Sequence, residues 1–168
     1  MPLNLLKKYN ALLELVAYSP AERAKSLKAV FDRDITNNKA FRFRAKQITP
    51  TPQDGEIKMS TLFTHLTCVI IDKKTRKREF DIHRSVRLHW VKYHIEEKKK
   101  DNVLVFSVKE PEGDRTYIYD KDEQYVIVLE PLRKIKAYYL LSAYYVQGKD
   151  SKRGKFQRKY KRRLPEVL

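Results

Sequence analysis

Histidine is the side chain best suited to acid–base chemistry near neutral pH, and the chain contains four histidines: His65, His83, His89 and His94. His65 lies inside the apolar run of residues 62–67. A partly buried imidazole there needs hydrogen-bond partners, and burial can shift its pKa. His65 is therefore the first candidate for a general base or acid.

A helix over residues 81–98 would place His83, Arg87, Trp90 and His94 on one face, because they fall within about 60° of one another at the helical angle of about 100° per residue. The stripe has two interpretations. Either it faces a substrate, with Arg87, Trp90 and His94 as binding residues, or Trp90 belongs to the core and the histidines lie at its boundary.

Two further pairs of candidate residues have the spacing of one strand face. Ser142 and Tyr144 are two residues apart, and so are Arg115 and Tyr117. Alternate residues of a strand point to the same side of the sheet. If the two faces coincide, the sheet presents an arginine, a serine and two tyrosines together.

This set suits the cleavage of RNA without a metal. His65 would take or give the proton of the 2′-hydroxyl, and Arg115 would anchor the phosphate and stabilise the transition state. Ser142 and Tyr144 would donate hydrogen bonds or position the substrate, and Tyr117 would stack on an unpaired base. The sequence therefore predicts transesterification to a 2′,3′-cyclic phosphate.

Two other functions are compatible with the same residues. A non-catalytic RNA- or DNA-binding module would use the tyrosine-rich sheet only as a platform. A metal-dependent DNA nuclease would use Asp72, which begins the sequence Asp72-Lys73-Lys74, together with carboxylates that the sequence does not place.

The net charge of the protein favours a polyanionic partner. The chain of 168 residues carries a formal charge of +16 and has a pI of about 9.8. Hydrophobic residues make up 42% of it, too many for a disordered basic tail, so the charge lies on a folded body. Basic runs at residues 73–78 and 149–163 would add salt-sensitive affinity for nucleic acid. RNA is the predicted partner.

Several classes of protein are not expected. The single cysteine, Cys68, allows no internal disulfide, and no Cys/His set offers four zinc ligands, so neither a metal nor another cofactor is predicted. No run approaches the ~20 apolar residues that span a bilayer, and the N-terminus does not resemble a signal peptide. We therefore expect a soluble, cytoplasmic protein with no membrane partner.

The local patterns predict two helices followed by a sheet. Apolar residues recur at helical spacing over residues 5–16, and Ser19-Pro20-Ala21-Glu22 has the form of a capping box that opens a helix over residues 20–33. Four β-branched and aromatic runs separated by turns predict strands at 103–108, 115–119, 125–129 and 137–146.

The predicted fold is α+β, with N-terminal helices packed on a four-stranded antiparallel sheet and a basic C-terminal helix or tail. Turn-forming residues at 49–55 suggest a division into an N-terminal helical region at 1–55, a core at 56–148 and a basic tail at 149–168. The N-terminal region is expected to form part of the same domain.

Several motifs resemble the phage-type toxin nucleases of the barnase, EndoU, colicin and RelE-like (BECR) superfamily of metal-independent ribonucleases. The resemblance covers roughly residues 60–146, and the motifs that carry it are residues 63–68, 80–81 with Arg84, 87–90, 94–95, 115–118, 125–130 and 138–145. It implies helices packed on a four-stranded antiparallel sheet whose face carries the active site.

The resemblance also implies roles for single residues. A helix-proximal histidine, a strand arginine and a Ser/Thr-Ala-Tyr element correspond to His65, Arg115, Ser142 and Tyr144. The last-strand motif more often has threonine at Ser142, a change that keeps the hydroxyl. Arg87 and Trp90 match the helix motif. Such toxins are commonly paired with a neutralising protein, so an acidic antitoxin or immunity protein is an expected partner.

Overall fold

The computed structural model describes residues 3–168 and contains eight strands and six α-helices. The strands are β1 (Arg42–Phe43), β2 (Lys46–Pro50), β3 (Cys68–Asp72), β4 (Lys77–Phe80), β5 (Val103–Glu110), β6 (Gly113–Asp120), β7 (Tyr125–Leu132) and β8 (Ala137–Tyr145). The helices are α1 (Pro20–Phe31), α2 (Met59–Thr67), α3 (Ile82–Ser85), α4 (Trp90–Ile95), α5 (Lys149–Lys152) and α6 (Lys155–Lys161).

The main sheet has six strands in the order β1-β2-β8-β7-β6-β5, and β3 pairs only with β4 in a separate hairpin. The four strands predicted from the sequence are present as β5 to β8 and form an antiparallel meander. The prediction of a four-stranded antiparallel sheet is wrong, because β2 joins β8 in parallel and β1 pairs with β2. The sheet is therefore mixed.

The predicted packing of N-terminal helices on the sheet is also wrong. α2 and α3 pack against β8, and α6 packs against β5. α1 instead packs against the π-helical turn Asp32–Thr36 and the 3-10 turn Leu3–Leu6, and it reaches α2 through an edge-to-face contact of Phe31 with Phe63 at 5.2 Å. Helices from the middle and end of the chain thus cover the sheet.

The N-terminal segment shows one confirmed helix and one that does not form. α1 begins with the predicted capping box, in which the Ser19 side chain and the Glu22 side chain each accept a backbone N–H. Residues 5–16 are not helical beyond Leu6; the Asn4 side chain instead bonds both backbone groups of Glu14, and Leu13 and Leu15 are buried. The apolar residues of this segment are therefore buried as part of a loop and not on the face of a helix.

Both faces of the sheet are covered. One face packs Ile118, Ile127 and Leu129 into the larger core, which also contains residues of α1, α2 and α4. The other face packs Tyr117, Tyr119 and Val126 around Phe156 of α6. All three segments of the predicted domain division contribute to these cores, and the division itself stays a prediction.

No helix within residues 3–168 is long and apolar enough to cross a membrane.

Candidate functional site

A basic groove lies where the main sheet loses one strand. β2 pairs with β8 only as far as Leu140, so the next part of β8 pairs with β7 on one side and has no described strand on the other, and α2 and α3 pack along that second edge. A bulge at Leu141 interrupts the pairing of β8 with β7 at the same point. The groove has a volume of about 600 Å³ and is lined by Thr51, Pro52, Gln53, Ser60, Thr61, Thr64, His65, Ile70, Arg76, Arg78 and Leu141.

His65 lies on α2 and lines this groove, half-buried. Burial lowers the pKa of the imidazole, the nearby charges of Arg78, Arg84 and Arg76 lower it further, and a hydrogen bond with the Leu141 backbone opposes the change, leaving a pKa of about 4. His65 is therefore neutral at neutral pH and has a nitrogen able to accept a proton.

Arg76 and Arg78 form the basic wall of the groove and belong to the hairpin of β3 and β4. Within residues 3–168, the arginines that form ion pairs are others, and no carboxylate residue lines the groove. Burial and the neighbouring arginines lower the pKa of Arg78, but a guanidinium remains charged in proteins. Two uncompensated positive charges beside a neutral imidazole make the groove a site for an anion.

Arg84 holds the end of α2 against β8. Its Nη1 donates to the carbonyls of His65 at 2.7 Å and Cys68 at 3.0 Å, and to Ser142 Oγ at 3.2 Å. A cation at the C-terminus of a helix satisfies carbonyls that lack a partner in the helix and interacts favourably with its dipole. Arg84 thus fixes the backbone of His65, and it links His65 to Ser142.

Ser142 and Tyr144 lie beside Arg84, as residues of the β8 edge. The guanidinium of Arg84 is 5.4 Å from the ring centre of Tyr144. Burial raises the pKa of the Tyr144 hydroxyl, so this hydroxyl stays protonated, and the ring packs toward Phe156 at 6.4 Å. The structure thus places His65, Ser142 and Tyr144 around Arg84.

Arg115 is not part of this cluster. It lies on β6, separated from β8 by β7, and its Nη1 donates to Glu130 Oε1 at 3.0 Å and to the Asp114 carbonyl at 2.9 Å. Neighbouring strands lie about 4.8 Å apart, so β6 is roughly 10 Å from β8. The charge of Arg115 is compensated by Glu130.

The two predicted strand faces do coincide, but a helix covers part of that face. Tyr117 pairs with Val128, and Val128 pairs with Ser142, so these side chains point to one side of the sheet. Phe156 of α6 lies 5.5 Å from the Tyr117 ring, and Tyr117 is buried with its hydroxyl donating to Glu110. In this state Tyr117 has no surface on which a base could stack.

Trp90 is a core residue in the structure. Its side chain is buried, its Nε1 donates to the Ala11 carbonyl at 3.2 Å, and its ring contacts Tyr9 and Tyr125 edge-on. Of the two interpretations of Trp90, a substrate-binding residue or a core residue, the structure therefore supports the second. A role for Trp90 in substrate binding would require the core to open.

His94 belongs to a buried polar cluster around Asp120. Tyr9 Oη donates to this carboxylate at 2.6 Å, Lys99 Nζ donates to it at 2.8 Å, and His94 Nε2 lies 3.2 Å from it. Burial alone raises the pKa of Asp120, but its contacts with His94, Lys99 and Tyr9 outweigh burial and hold the pKa well below its ordinary value of 3.8. The cluster ties the N-terminal segment to the end of β6.

Asp72 makes hydrogen bonds that stabilise the turn of the β3–β4 hairpin. Its Oδ1 accepts the backbone N–H groups of Lys74 at 2.8 Å and Thr75 at 3.4 Å, which closes the turn of the hairpin. In the part of the chain that the structure describes, no three His, Cys, Asp or Glu side chains are grouped to hold a metal ion. The carboxylates that a metal-dependent nuclease would need are not gathered around Asp72.

Sequence reasoning found His65 but missed its arginines. Arg76 and Arg78 counted only as part of a basic run, although their spacing of two residues on a hairpin indicates a shared face. The sequence assigns no role to Arg84, because its contacts join segments that are distant in sequence.

No family model, no curated protein and no solved structure matches the chain at a significant level.

Proposed function

We propose that this protein is an endoribonuclease that binds RNA in the His65 groove and cleaves it without a metal. The observation that carries the proposal is the composition of the groove, which combines one neutral imidazole with two arginines that no carboxylate neutralises. In the reaction, the 2′-oxygen attacks the adjacent phosphorus, the bond from phosphorus to the 5′-oxygen breaks, and a 2′,3′-cyclic phosphate forms. The 5′-oxygen takes a proton from water and leaves as a hydroxyl.

His65 is the proposed general base that accepts the proton of the 2′-hydroxyl. Arg76 and Arg78 hold the phosphate and stabilise the charge that develops on its oxygens. A bound phosphate also neutralises the arginine charges that keep the pKa of His65 low, so the imidazole becomes a stronger base once RNA is present. The arrangement thus couples substrate binding to activation of the base.

Arg84 and Ser142 position the site. Arg84 binds the His65 carbonyl and Ser142 Oγ, which sets the place of the imidazole relative to the β8 bulge. The proposal assigns the phosphate to Arg76 and Arg78, not to Arg115, because Arg115 is paired with Glu130. Tyr144 supports the Arg84 side chain through its ring.

The motif resemblance supports a toxin-type ribonuclease that acts on RNA in the cytoplasm. The charge of +16 supports an acidic antitoxin or immunity protein as its inhibitor, because a protein of opposite charge can cover a basic groove. Both partners belong to the proposal.

The test is incubation of purified protein with total RNA in EDTA, followed by analysis of the new RNA ends. Wild-type protein should release fragments with 2′,3′-cyclic phosphate ends. His65→Ala should abolish this cleavage, and Arg78→Gln should reduce it at least about tenfold, the effect of losing one strong charged contact. Arg42→Gln is the matched control, because it removes the same charge from an exposed residue outside the groove.

Cleavage that survives in a folded His65→Ala variant would refute the proposed mechanism.

The second candidate function is a non-catalytic RNA-binding module. The low pKa of His65 favours it, because a base with a pKa of about 4 is weak. That protein would bind RNA with the same dependence on Arg78 and leave the RNA intact.

A further inference from the structure

A second set of side chains lies farther along β8, beyond the groove. The guanidinium carbon of Arg87 is 4.1 Å from the ring centre of Tyr145, the last residue of β8. The ring centre of His83 is 6.2 Å from that of Tyr145, with 33° between the ring planes. His83 is exposed, and Arg87 and Tyr145 are half-buried.

The Arg87 side chain is held in place without losing its charge. Its Nη1 donates to the His83 carbonyl at 2.6 Å, and its guanidinium also lies 5.3 Å from the Trp90 ring. In residues 3–168 the arginines with an ion-pair partner do not include Arg87. A fixed guanidinium behind a tyrosine ring gives an aromatic platform with a positive charge beside it.

This platform follows the groove along one strand. Tyr145 follows Leu141, which lines the groove, by four positions, and a strand rises about 3.3 Å per residue, so the two residues are roughly 13 Å apart along β8. Arg84 lies between them, bound to Ser142. This part of β8 therefore runs from a basic groove, past the half-buried Arg84, to an aromatic platform.

We propose that Tyr145, Arg87 and His83 form a base-stacking subsite that takes an unpaired base of the RNA strand whose phosphate lies in the His65 groove. The inference rests on the proposed function. Stacking on an aromatic ring tolerates any base, because every base has a flat π face. The exposed His83 ring can turn to pack on the base without disturbing the core.

The subsite defines the substrate class as unpaired RNA. In a duplex each base is stacked between its neighbours and paired, so it cannot reach the Tyr145 ring. A strand in a loop or at an end can place one base on Tyr145 and a phosphate between Arg76 and Arg78. The protein should therefore select single-stranded regions.

The test measures binding of short oligonucleotides by fluorescence anisotropy, with 2′-O-methyl RNA used as a strand that cannot be cleaved. Three probes of equal length are compared: a single strand, the same backbone without bases, and the strand in a duplex. Wild-type protein should prefer the single strand over the abasic strand by roughly 5- to 150-fold, the effect of stacking one base. Duplex should bind no better than the abasic strand.

Variants separate this inference from the proposed function. Tyr145→Phe should keep the preference, Tyr145→Leu should remove it without weakening abasic binding, and Arg78→Gln should weaken both single-stranded probes by the same factor. A folded Tyr145→Leu variant that keeps the full preference would overturn the subsite. Binding unaffected by Arg78→Gln would instead overturn the proposed groove.

A crosslinking experiment on the wild-type protein covers the case in which Tyr145→Leu does not fold. An oligonucleotide carrying photoreactive iodouridine is irradiated in the complex, and the modified residue is identified by mass spectrometry. Adducts on Tyr145 or His83 are expected. Adducts found only on aromatic residues elsewhere would overturn the inference.

Discussion

The acid side of the pH–rate profile should reveal the charges around His65. As the general base, His65 works only when neutral, so activity rises with pH through its pKa. Since kcat/KM reports the free enzyme, its acid limb should have a midpoint near the free-protein pKa of about 4, well below the ordinary histidine value of 6.5. The limb of kcat should lie at higher pH, because bound phosphate neutralises the arginines.

The informative perturbation is Arg78→Gln. Burial is the largest cause of the low pKa of His65, and Arg78 is the first of three arginine charges that add to it. Removing one of these charges should reverse only part of the shift of the His65 pKa from its ordinary value, raising this pKa by about 0.5. The acid limb of kcat/KM should move up by the same amount, even though Arg78→Gln also lowers the rate.

The assay is cleavage of a fluorescent RNA substrate between pH 3.5 and 8 (about the range over which both limbs fall), with circular dichroism to confirm folding at each pH. Arg42→Gln should leave the midpoint unchanged. NMR titration of the His65 ring gives the same pKa independently. A wild-type midpoint near 6.5, or no movement in Arg78→Gln, would refute the proposed control of His65 by the groove arginines.

Four further predictions concern stability and binding. Asp120→Asn should lower the free energy of unfolding by about 3 kcal/mol and the melting temperature by roughly 6–12 °C, because it removes the charge from a buried carboxylate that is fully hydrogen-bonded. Asp122→Asn is the control: Asp122 is an exposed neighbour, and its substitution should change the melting temperature little. The Asp120 pKa is lower in the folded protein than in the unfolded chain, so its contribution to stability is complete above about pH 5 and is lost progressively as the pH falls below that value. Wild-type melts below about pH 5 should show this loss, and Asp120→Asn should show a smaller one, because carboxylates such as Glu110 also have a lowered pKa in the folded protein. Phe156→Ala should lower the free energy of unfolding by about 3–5 kcal/mol, measured by urea unfolding, and should release α6 from the sheet, measured by hydrogen exchange of the helix. Equal protection of α6 in the variant and the wild type would contradict the role of Phe156 in anchoring this helix. RNA affinity should fall linearly with salt on a double-logarithmic plot, and Arg76→Gln should reduce the slope by about 0.7, the value for one contact to a single strand; an unchanged slope would show that Arg76 makes no phosphate contact.

Local sequence patterns predicted the elements that local forces specify. The capping box at Ser19 and Glu22 uses groups only three residues apart, so α1 could be located from its sequence. Alternating apolar residues separated by turns likewise identified β5 to β8, whose hairpins join neighbours in the chain. The charge of +16 and the position of His65 next to an apolar run were also evident from the sequence.

The same patterns failed where distance along the chain matters. The pairing of Ile48 with Tyr138 joins residues far apart, and the Thr-Pro repeat around Pro50 looks like a turn. Two parallel strands must be joined by a long crossover connection, so no local sequence pattern predicts their pairing. This pairing, together with that of β1 with β2, turned the expected four-stranded sheet into a mixed sheet of six strands.

The candidate site depends on that pairing. β2 ends opposite Leu140, which leaves the edge of β8 to α2 and α3 and brings His65, Arg84 and Ser142 together. Helix α6 covers the other face and removes Tyr117 from solvent. Sequence alone determined which residue types could act on a phosphate and which short segments carry them. Tertiary structure decided which of them meet, because strand register, helix placement and burial depend on packing between segments that are distant in the chain.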